Sequence, residues 1–376
     1  MHSGIGLVTY PINRASITPL SNYVDILIQF SDLYVITGNE AKTLSYPKKE
    51  GKNIRMFFIN YPIESKICLK IVRYFLGQLK YSYYVLKLAK NAETWIYFTG
   101  GERMVLPILT ARLLKRHVIL YITGSSVKDA TFSKDPFLIP VKSMSIFAHI
   151  LANHIIVYSP NLISEWGLEK YRKKIFTTHR HILDFDIFNL KIEFKNRPPL
   201  IGYIGRLSGE KGVQHFAQAL PAILSDREDL RVLIGGDGPL KEAIEASLQE
   251  GGVSARVDLP GWIAHDDLPG YLNQLRLLVL PSYTEGLPNI MLEAMACGTP
   301  VLATPVGAIP DVIIDRKTRF IMENNSPKCI AANVVRALSS LDLERIAEDG
   351  RRFVEENFSF EKTVENWKRI LQNPSS

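Results

Sequence analysis

The amino-acid sequence predicts an α/β protein of two doubly wound domains, each a parallel β-sheet covered by helices. Its 376 residues, 46% of them hydrophobic, suffice for two globular domains of ordinary size. Short β-rich runs alternate with segments of helical periodicity, which is the pattern of repeated strand–helix–strand units. The pair Pro198–Pro199 interrupts the alternation, because proline excludes helix and cannot donate a backbone hydrogen bond. We therefore place the hinge between the domains there.

In the first half, six runs rich in β-branched and aromatic residues predict the strands of a parallel sheet. In chain order they read IGLVTY, DLYVITG, IRMFFIN, TWIYFTG, HVILYITG and HIIVYS. Segments with helical periodicity separate these runs, as crossover connections require. Residues 1–190 form the first domain in this interpretation.

The second half repeats the alternation. The predicted strands are LIGYIG, LRVLIGG, RVDLPGW, LLVLPS and PVLAT, and the predicted helices are residues 212–225, 239–250, 289–297 and 327–340. Residues 191–358 therefore form a second doubly wound domain. Beyond it, SFEKTVENWKRILQ opens with Ser359 and Glu361, which predicts a capped final helix within residues 359–376.

Charge is divided unevenly between the two halves. Residues 1–190 carry 24 Lys and Arg against 13 Asp and Glu, whereas residues 191–376 carry 21 against 25. A surface for anionic partners is therefore expected on the first domain. No aromatic platform or zinc knuckle accompanies this positive charge, so nucleic acid is not an expected partner.

Cysteine usage and hydropathy place the chain in the cytosol. The three scattered cysteines, Cys68, Cys297 and Cys329, match neither a disulfide framework nor a zinc spacing. The start MHSGIGLVTYP has no charged leader followed by a long apolar run. The uncharged stretch SMSIFAHILANHIIVYS contains two His and an Asn and predicts a helix end running into a strand, not a membrane span.

Two carboxylates follow one predicted strand of the second domain. The strand LLVLPS ends at Ser282, Glu285 lies in the next loop, and Glu293 lies about one turn into a helix opened by Pro288 and Asn289. Ligands of doubly wound sheets bind at such strand ends. Two carboxylates there would repel a phosphate, so we expect them to accept hydrogen bonds from the hydroxyls of a sugar or ribose. The alternative is that they are a turn residue and a solvated helix residue.

A cationic loop follows another strand. After LIGYIG come Arg206, Lys211 and Gly212, a glycine-bearing loop before a helix that fits a diphosphate. Alone, such a pair is more often a surface pair. A third strand end, LIGGDGP, offers Gly236 for close backbone approach, but neither loop has the G-x-G-x-x-G spacing of a nicotinamide site.

In this order, the motifs of the second half resemble those of the retaining family 4 glycosyltransferases, which have the GT-B fold. The matching segments are GRLSGEKG, IGGDGP, LPGWIAHDDL, PSYTEGLPNIMLEAMACGTPV and FSFEKTVENW, and they include the family's two glutamates separated by seven residues, at Glu285 and Glu293. The resemblance implies two Rossmann-like domains facing each other across a cleft, with the C-terminal helix returning to the first domain.

The resemblance also implies a role for each residue of these motifs. Arg206 and Lys211 would hold the donor diphosphate, Glu285 would bind the transferred hexose, and Glu293 would bind the ribose. Further donor contacts would come from Gly236 and from the backbone of Gly286, Leu287, Pro288 and Asn289. Arg206, Lys211 and Glu285 are the candidate catalytic residues, and no metal or other cofactor is expected.

The first half departs from that family. The usual glycine-rich loop is replaced by YPINRASITPLSN, and Thr123 stands where the family commonly has a His. Threonine cannot carry a proton at neutral pH. His181, in HILD before the hinge, is a candidate for part of the missing role, with packing as the alternative. The neighbouring Asp184 and Asp186 imitate a metal-binding Asp-x-Asp, to which we assign a structural role.

A basic stripe lies between the third and fourth predicted strands. Lys66, Lys70, Arg73, Lys80 and Lys87 fall on one side of a helix whose other residues are mostly aliphatic or tyrosine. One interpretation is a crossover helix with a solvated basic edge. The other is a contact with an anionic membrane surface, which an acceptor embedded in lipid would explain.

The sequence therefore predicts an enzyme that moves a hexose from a nucleotide-diphosphate sugar to a hydroxyl of a glycan or lipid-linked glycan, with retention of anomeric configuration. It would work in the cytoplasm or at the cytoplasmic face of a membrane. The alternatives are a sugar-nucleotide epimerase or hydrolase on the same fold and a non-catalytic scaffold. The nucleotide base, the sugar, the acceptor and the oligomeric state are left open.

Overall fold

A computed structural model describes residues 4–10, 17–38, 41, 51–60, 67–132, 134–312 and 320–372. The chain divides into two compact units, the first formed by Met1–His181 with Thr363–Ser376 and the second by Ile182–Lys362. Both have the α/β architecture predicted from the sequence, with a parallel sheet in each.

The first unit contains a seven-stranded parallel sheet in the order β3-β2-β1-β4-β5-β6-β7. Its strands are β1 (Gly4–Thr9), β2 (Leu33–Gly38), β3 (Ile54–Ile59), β4 (Ala92–Phe98), β5 (His117–Tyr121), β6 (His154–Val157) and β7 (Ile175–Thr177). Its helices are α1 (Ile17–Leu27), α2 (Ile67–Leu88), α3 (Val105–Leu113), α4 (Ser126–Phe132), α5 (Leu138–Leu151) and α6 (Asn161–Glu165). The central strands β1, β2 and β5 are buried along almost their whole length, as strands covered on both faces must be.

The second unit contains a six-stranded parallel sheet in the order β10-β9-β8-β11-β12-β13. Its strands are β8 (Leu200–Ile204), β9 (Arg231–Gly235), β10 (Val257–Gly261), β11 (Leu277–Leu280), β12 (Val301–Ala303) and β13 (Phe320–Ile321). Its helices are α7 (Val213–Asp226), α8 (Lys241–Glu250), α9 (Leu268–Leu272), α10 (Asn289–Ala296), α11 (Ile309–Val312), α12 (Pro327–Leu338) and α13 (Leu343–Asn357).

The strand order of the second unit creates a switch point between β8 and β11. From β8 the chain proceeds outward through β9 to β10, and it then returns to place β11 on the other side of β8. The loops that follow β8 and β11 therefore lie side by side at the carboxyl edge of the sheet. Ligands of open parallel sheets bind at such switch points.

The C-terminal helix α14 (Phe360–Gln372) belongs to the first unit, as expected. Its Trp367 is fully buried, with ring centroids 4.8 Å from Tyr23 of α1 and 5.2 Å from Tyr121 of β5. The indole Nε1 donates a 2.8 Å hydrogen bond to the carbonyl of His179. One aromatic side chain thus fixes the end of the chain to the core of this unit.

The division between the units falls between His181 and Ile182, upstream of the Pro198–Pro199 pair. Arg197 explains why the residues just before the prolines belong to the second unit. Its buried guanidinium donates to the carbonyls of Leu275 and Cys297 at 2.8 and 2.6 Å and to the hydroxyl of Thr299 at 2.7 Å. Burial lowers the pKa of Arg197 to about 10. These contacts fix the segment just before the prolines to loops of the second unit.

Helix α13 and the short strands β7 and β13 were not predicted from the sequence. Helix α13 is strongly polar, and only one side of it, including Ile346 and Val354, is buried. In the part of the chain that the structure describes, every helix is too short or too polar to span a bilayer.

We expect Trp367→Ala to destabilise the first unit by about 3–5 kcal/mol, because it removes a large buried aromatic side chain and leaves a cavity. Denaturant unfolding followed by circular dichroism measures this loss. Trp262→Ala is the matched control, since Trp262 is 78% exposed and its removal should change stability by less than about 0.5 kcal/mol. Equal losses in the two variants would contradict the anchoring role of Trp367.

Candidate functional site

The candidate site lies at the carboxyl ends of β8 and β11. The loop after β8 carries Arg206 and Lys211 into α7, and the loop after β11 carries Glu285 into α10. Because β8 and β11 are neighbouring parallel strands, both loops emerge at the same edge of the sheet. The fold thus brings together residues that are more than seventy positions apart in the sequence.

Lys211 and Glu285 are in direct contact. The Lys211 Nζ donates to Glu285 Oε1 at 2.7 Å, and the Ser282 hydroxyl donates to the same oxygen at 2.7 Å. The Glu285 side chain is only 8% exposed and that of Lys211 is 28% exposed. A partly buried carboxylate held by an ammonium and a hydroxyl has a fixed position, because each bond is charge-assisted. Sequence reasoning placed both residues in the site, and the structure adds that they form an ion pair.

Arg206 lies at the more exposed side of the same loop. Its guanidinium pairs with the carboxylate of Glu210, which also accepts a 2.7 Å hydrogen bond from the Ser208 hydroxyl. Although partial burial of Glu210 opposes the effect, the Ser208 hydrogen bond, a backbone hydrogen bond and the charges of Arg206 and Lys211 hold the pKa of Glu210 below its usual range. Sequence reasoning did not single out Glu210, although it stands between Arg206 and Lys211 in GRLSGEKG.

Tyr203, on β8, supports the loop from beneath. Its hydroxyl donates a 2.8 Å hydrogen bond to the carbonyl of Arg206. Burial, with the nearby carboxylates of Glu285 and Glu210, raises the pKa of Tyr203 far above its ordinary value. The phenol therefore stays protonated and keeps donating over the whole physiological pH range.

Glu293 is buried within α10, where the sequence predicted it, about one turn from the start of the helix. Its Oε1 lies 3.3 Å from the Nε2 of His265, which follows β10. The hydrogen bond to Glu293 raises the pKa of His265 against the opposing effect of partial burial. The ring of Phe188 packs edge-on against that imidazole at 5.2 Å. His265 was missed as a site residue, although it lies in the motif LPGWIAHDDL, because the sequence gives no distance between separate loops.

Close backbone contacts shape the two loops. Gly212 has a φ of +66°, and a Cβ there would lie 2.0 Å from the carbonyl oxygen of Pro281. Gly307 has a φ of +65°, and its Cβ would lie 2.3 Å from the carbonyl oxygen of Glu285. Only glycine satisfies both constraints. The loops after β8, β11 and β12 therefore touch one another through their backbones.

The remaining predicted donor residues lie in the loops that follow β9 and β11. Gly236 follows β9, with its N–H donating to the carbonyl of Gly261 at 2.7 Å. The carbonyl of Gly286 accepts from the N–H of Ala308 at 2.7 Å, and Leu287 and Pro288 are buried. Asn289 is exposed and begins α10. Helix N termini offer backbone N–H groups to anions, so the start of α10 is suited to a phosphate.

In the first unit, Thr123 and His181 occupy different environments. Thr123 is half-buried in the loop between β5 and α4. His181 is 5% exposed, its ring packs edge-on against Tyr158 at 4.9 Å, and its carbonyl accepts from the Thr363 hydroxyl at 3.2 Å. The Tyr158 ring and the Thr363 hydroxyl therefore hold His181 in a buried position.

A buried pair that sequence reasoning missed lies near Thr123. Glu102, after β4, has its Oε1 3.0 Å from the Nε2 of His149 in α5, and its Oε2 accepts from the backbone N–H of Ser126 at 3.2 Å. All of these groups are buried. Glu102 thus fixes the start of α4, the helix that follows the Thr123 loop.

The Asp184 carboxylate accepts hydrogen bonds from the backbone N–H groups of Asp186 and Ile187 at 3.0 and 3.3 Å. This is a turn-forming arrangement, in agreement with the structural role assigned to the Asp-x-Asp motif. Within the described ranges, His, Cys, Asp and Glu side chains form no group of three or more that is arranged to hold a metal ion.

The predicted basic stripe lies on α2. Lys70 and Lys80 are exposed and Arg73 is half-buried, whereas Lys66 lies outside the described residues. These residues belong to the first unit, and the donor motifs belong to the second.

Comparison with known proteins relates the second unit to one family. Residues 198–340 match the family described as glycosyl transferases group 1. The chain is 36% identical over 115 residues to the 2-deoxystreptamine glucosyltransferase of Streptomyces kanamyceticus, covering 31% of this chain and 30% of that protein. It is 30% identical over 184 residues to the capsular polysaccharide biosynthesis glycosyltransferase CapM of Staphylococcus aureus, covering 46% and 47%. The match thus spans less than half the length of these curated relatives.

The similarity to solved structures covers nearly the whole chain. The structure of HepE from Anabaena in complex with UDP superposes with a TM-score of 0.77 at 16% identity, covering 98% of this chain and 99% of that one. At such low identity the agreement concerns the fold alone. The chain therefore has the GT-B fold, and its residues 198–340 match the glycosyl transferases group 1 family.

Proposed function

We propose that the protein transfers a hexose from a nucleotide-diphosphate sugar to a hydroxyl of a glycan or lipid-linked glycan, with retention of anomeric configuration. The observation that carries this proposal is the Lys211–Glu285–Ser282 cluster at the switch point of the second unit. It places a fixed carboxylate beside cationic side chains and next to a helix N terminus. Such a site suits a ligand that has both hydroxyls and phosphates.

The donor would be bound through each of its parts. Arg206 and Lys211 would bind the diphosphate, with the start of α10 at Asn289 adding backbone N–H groups. Glu285 would accept hydrogen bonds from hexose hydroxyls, and Glu293, buried deeper in α10, from ribose hydroxyls. HepE binds UDP and, in a second complex, UDP-glucose, so a uridine donor is the first to test.

Transfer breaks the bond between the anomeric carbon and the donor phosphate oxygen and forms a bond from that carbon to the acceptor oxygen. In the proposed reaction the acceptor proton passes to the leaving diphosphate on the same face, which accounts for retention without a protein base. Arg206 and Lys211 stabilise the charge that develops on the diphosphate, and Glu285 positions the hexose.

The acceptor would bind the first unit, where Thr123 and His181 are the candidate contacts. A lipid-linked acceptor would bring the protein to the cytoplasmic face of a membrane, in the synthesis of a polysaccharide or glycolipid. The excess of Lys and Arg over Asp and Glu in residues 1–190 supports an anionic partner there.

We expect Glu285→Gln and Glu293→Gln to impair different kinetic parameters. Loss of a charge-assisted hydrogen bond costs about 1.5–3 kcal/mol, or roughly 10- to 150-fold. Since the ribose is held alike in ground and transition states, Glu293→Gln should raise the donor KM and weaken nucleotide binding with little change in kcat. Glu285→Gln should lower kcat and leave nucleotide affinity nearly intact, because the hexose changes shape as charge develops.

Calorimetry with UDP, GDP and ADP measures the affinities and identifies the base, and assays with the corresponding sugars measure turnover. Glu250→Gln is the matched control, because Glu250 is an exposed carboxylate at the last residue of α8 and is assigned no donor contact. Loss of nucleotide affinity in Glu285→Gln but not in Glu293→Gln would reverse the assignment. Donor hydrolysis or epimerisation without transfer to any acceptor would contradict the proposed function itself.

We expect transfer, or slow donor hydrolysis, to persist in excess EDTA, because Arg206 and Lys211 supply the positive charge that a metal would otherwise provide. The rate is compared with and without chelator. If EDTA abolishes activity and manganese or magnesium restores it, the side chains of Arg206 and Lys211 do not suffice to stabilise the leaving diphosphate.

The pairing of His265 with Glu293 should make stability depend on pH. Because the pKa of His265 is raised in the folded state, its contribution is fully present below the unfolded value of about 6.5 and is lost as pH rises through the folded pKa. His265→Gln should therefore cost more stability at pH 5.5 than at pH 8.5, by less than about 1 kcal/mol because the side chain is largely solvated. Urea denaturation at both pH values measures the difference. A cost independent of pH would contradict the ion pair.

A further inference from the structure

The outward side of α2 is apolar. The inward side of α2 packs on the rest of the first unit and includes the buried residues Gln78, Tyr81 and Val85. On the same side the Tyr74 hydroxyl donates a hydrogen bond to the carbonyl of Arg103. The opposite side carries six large apolar side chains that are 50–62% exposed, namely Val72, Phe75, Leu76, Leu79, Tyr83 and Leu86. Single exposed apolar residues are ordinary, but six on adjacent turns form a patch that a soluble surface rarely leaves uncovered. We call these six residues the α2 face.

Positive charge borders the α2 face. Arg73, Lys80 and Lys87 are spaced seven residues apart, so they lie along one flank of the helix, and Lys70 lies one turn before Arg73. The 22 residues of α2 include no Asp or Glu. An apolar strip flanked by cations is the composition of a helix that lies in the interface of an anionic bilayer.

A groove adjoins the α2 face. It encloses about 480 Å³ and is lined by Phe58, Ile59 and Asn60 of the β3 end and by Leu76, Leu79, Lys80, Tyr83 and Tyr84 of α2. Strand β3 is the edge of the sheet, so the groove lies at the border of the unit. Its walls are mostly apolar, and Lys80 supplies an ammonium group. This combination fits the acyl chain and the phosphate of one lipid.

We propose that the α2 face docks on an anionic lipid bilayer, with its apolar side chains among the upper acyl segments and Lys70, Lys80 and Lys87 at the lipid phosphates. The groove beside β3 receives one acyl chain. This inference goes beyond the proposed transfer, and it requires none of the residues assigned to the donor.

The charge of α2 favours an anionic bilayer as the partner of the α2 face over a second copy of the chain or a nucleic acid. A second copy of the chain, docked symmetrically, would bring the same acid-free cationic helix against itself, and like charges would oppose the contact. A nucleic acid would satisfy the lysines but would leave the apolar centre of the α2 face against phosphates and water. A bilayer satisfies both parts, since anionic headgroups lie directly above an apolar layer.

The test is cosedimentation of the full chain with vesicles of phosphatidylglycerol and phosphatidylcholine, compared with phosphatidylcholine alone. We expect binding to the anionic vesicles that weakens with salt. The charge variant Lys70→Gln, Lys80→Gln, Lys87→Gln should bind at least about tenfold more weakly. The apolar variant Phe75→Ser, Leu79→Ser should also bind more weakly, including at low salt.

Matched controls change exposed residues elsewhere. Lys241→Gln, Lys328→Gln, Lys368→Gln removes three exposed lysines that lie on the other helices α8, α12 and α14, and Leu341→Ser removes a fully exposed leucine of the second unit. Both controls should bind vesicles like the parent. Nucleotide affinity, measured in parallel, should be unchanged in every variant, which separates failure of this proposal from failure of the proposed transfer.

Three results would overturn the proposal. The first is a parent protein that binds neither kind of vesicle. The second is equal vesicle binding by the parent and by the charge and apolar variants. The third is a parent that sediments as a dimer without vesicles while the apolar variant is a monomer, which would make the α2 face an interface between copies of the chain.

Discussion

The ion pair between Lys211 and Glu285 exists because β8 and β11 are neighbours in the sheet although β9 and β10 separate them in the sequence. That arrangement follows from the reversal of strand order, and it obliges the loops after both strands to share one edge. Their backbones then approach so closely that only glycine fits at Gly212, against the carbonyl of Pro281. Because these backbone contacts fix the loops, the Ser282 hydroxyl is positioned to donate a hydrogen bond to the Glu285 carboxylate. The positions of the other candidate donor residues depend on the same pairing of strands.

Sequence reasoning succeeded where the information is local and failed where it is not. The alternation of strands and helices, the start of α10 and the placement of Glu285 and Glu293 follow from periodicity and helix-opening residues within a few positions. The contacts of Arg197 do not, because it bonds to groups 78 to 102 residues away. His265 likewise meets Glu293 across 28 residues. A turn signal such as Pro198–Pro199 marks a break in regular structure, and only tertiary contacts decide to which unit the break belongs.

Helix α2 shows a different limit. Its sequence is apolar on nearly every side, so its periodicity does not reveal which side packs on the sheet. The basic stripe could be predicted from the spacing of its charged residues. The exposed α2 face could not, because that prediction requires knowing which side of the helix packs on the sheet. Packing selects the side with Gln78, Tyr81 and Val85 for the interior, because Gln78 and Tyr74 find backbone partners at Arg103. The remaining aliphatic side chains are left outside as a consequence.

The charges at the candidate site nearly cancel before any ligand binds. Arg206 pairs with Glu210 and Lys211 with Glu285, so the two cations are held in position but are already neutralised. Two paired cations attract an incoming diphosphate less strongly than two unpaired cations would. The pairing instead helps by preorganisation, since neither side chain has to be ordered when the diphosphate binds. The backbone N–H groups at the start of α10 carry no such partner charge, so in the proposed reaction they supply the part of the stabilisation that the paired cations do not. Glu285 then has two roles that its geometry makes compatible: Oε1 holds the lysine in place, and the carboxylate retains a second oxygen that can accept a hydroxyl of the hexose.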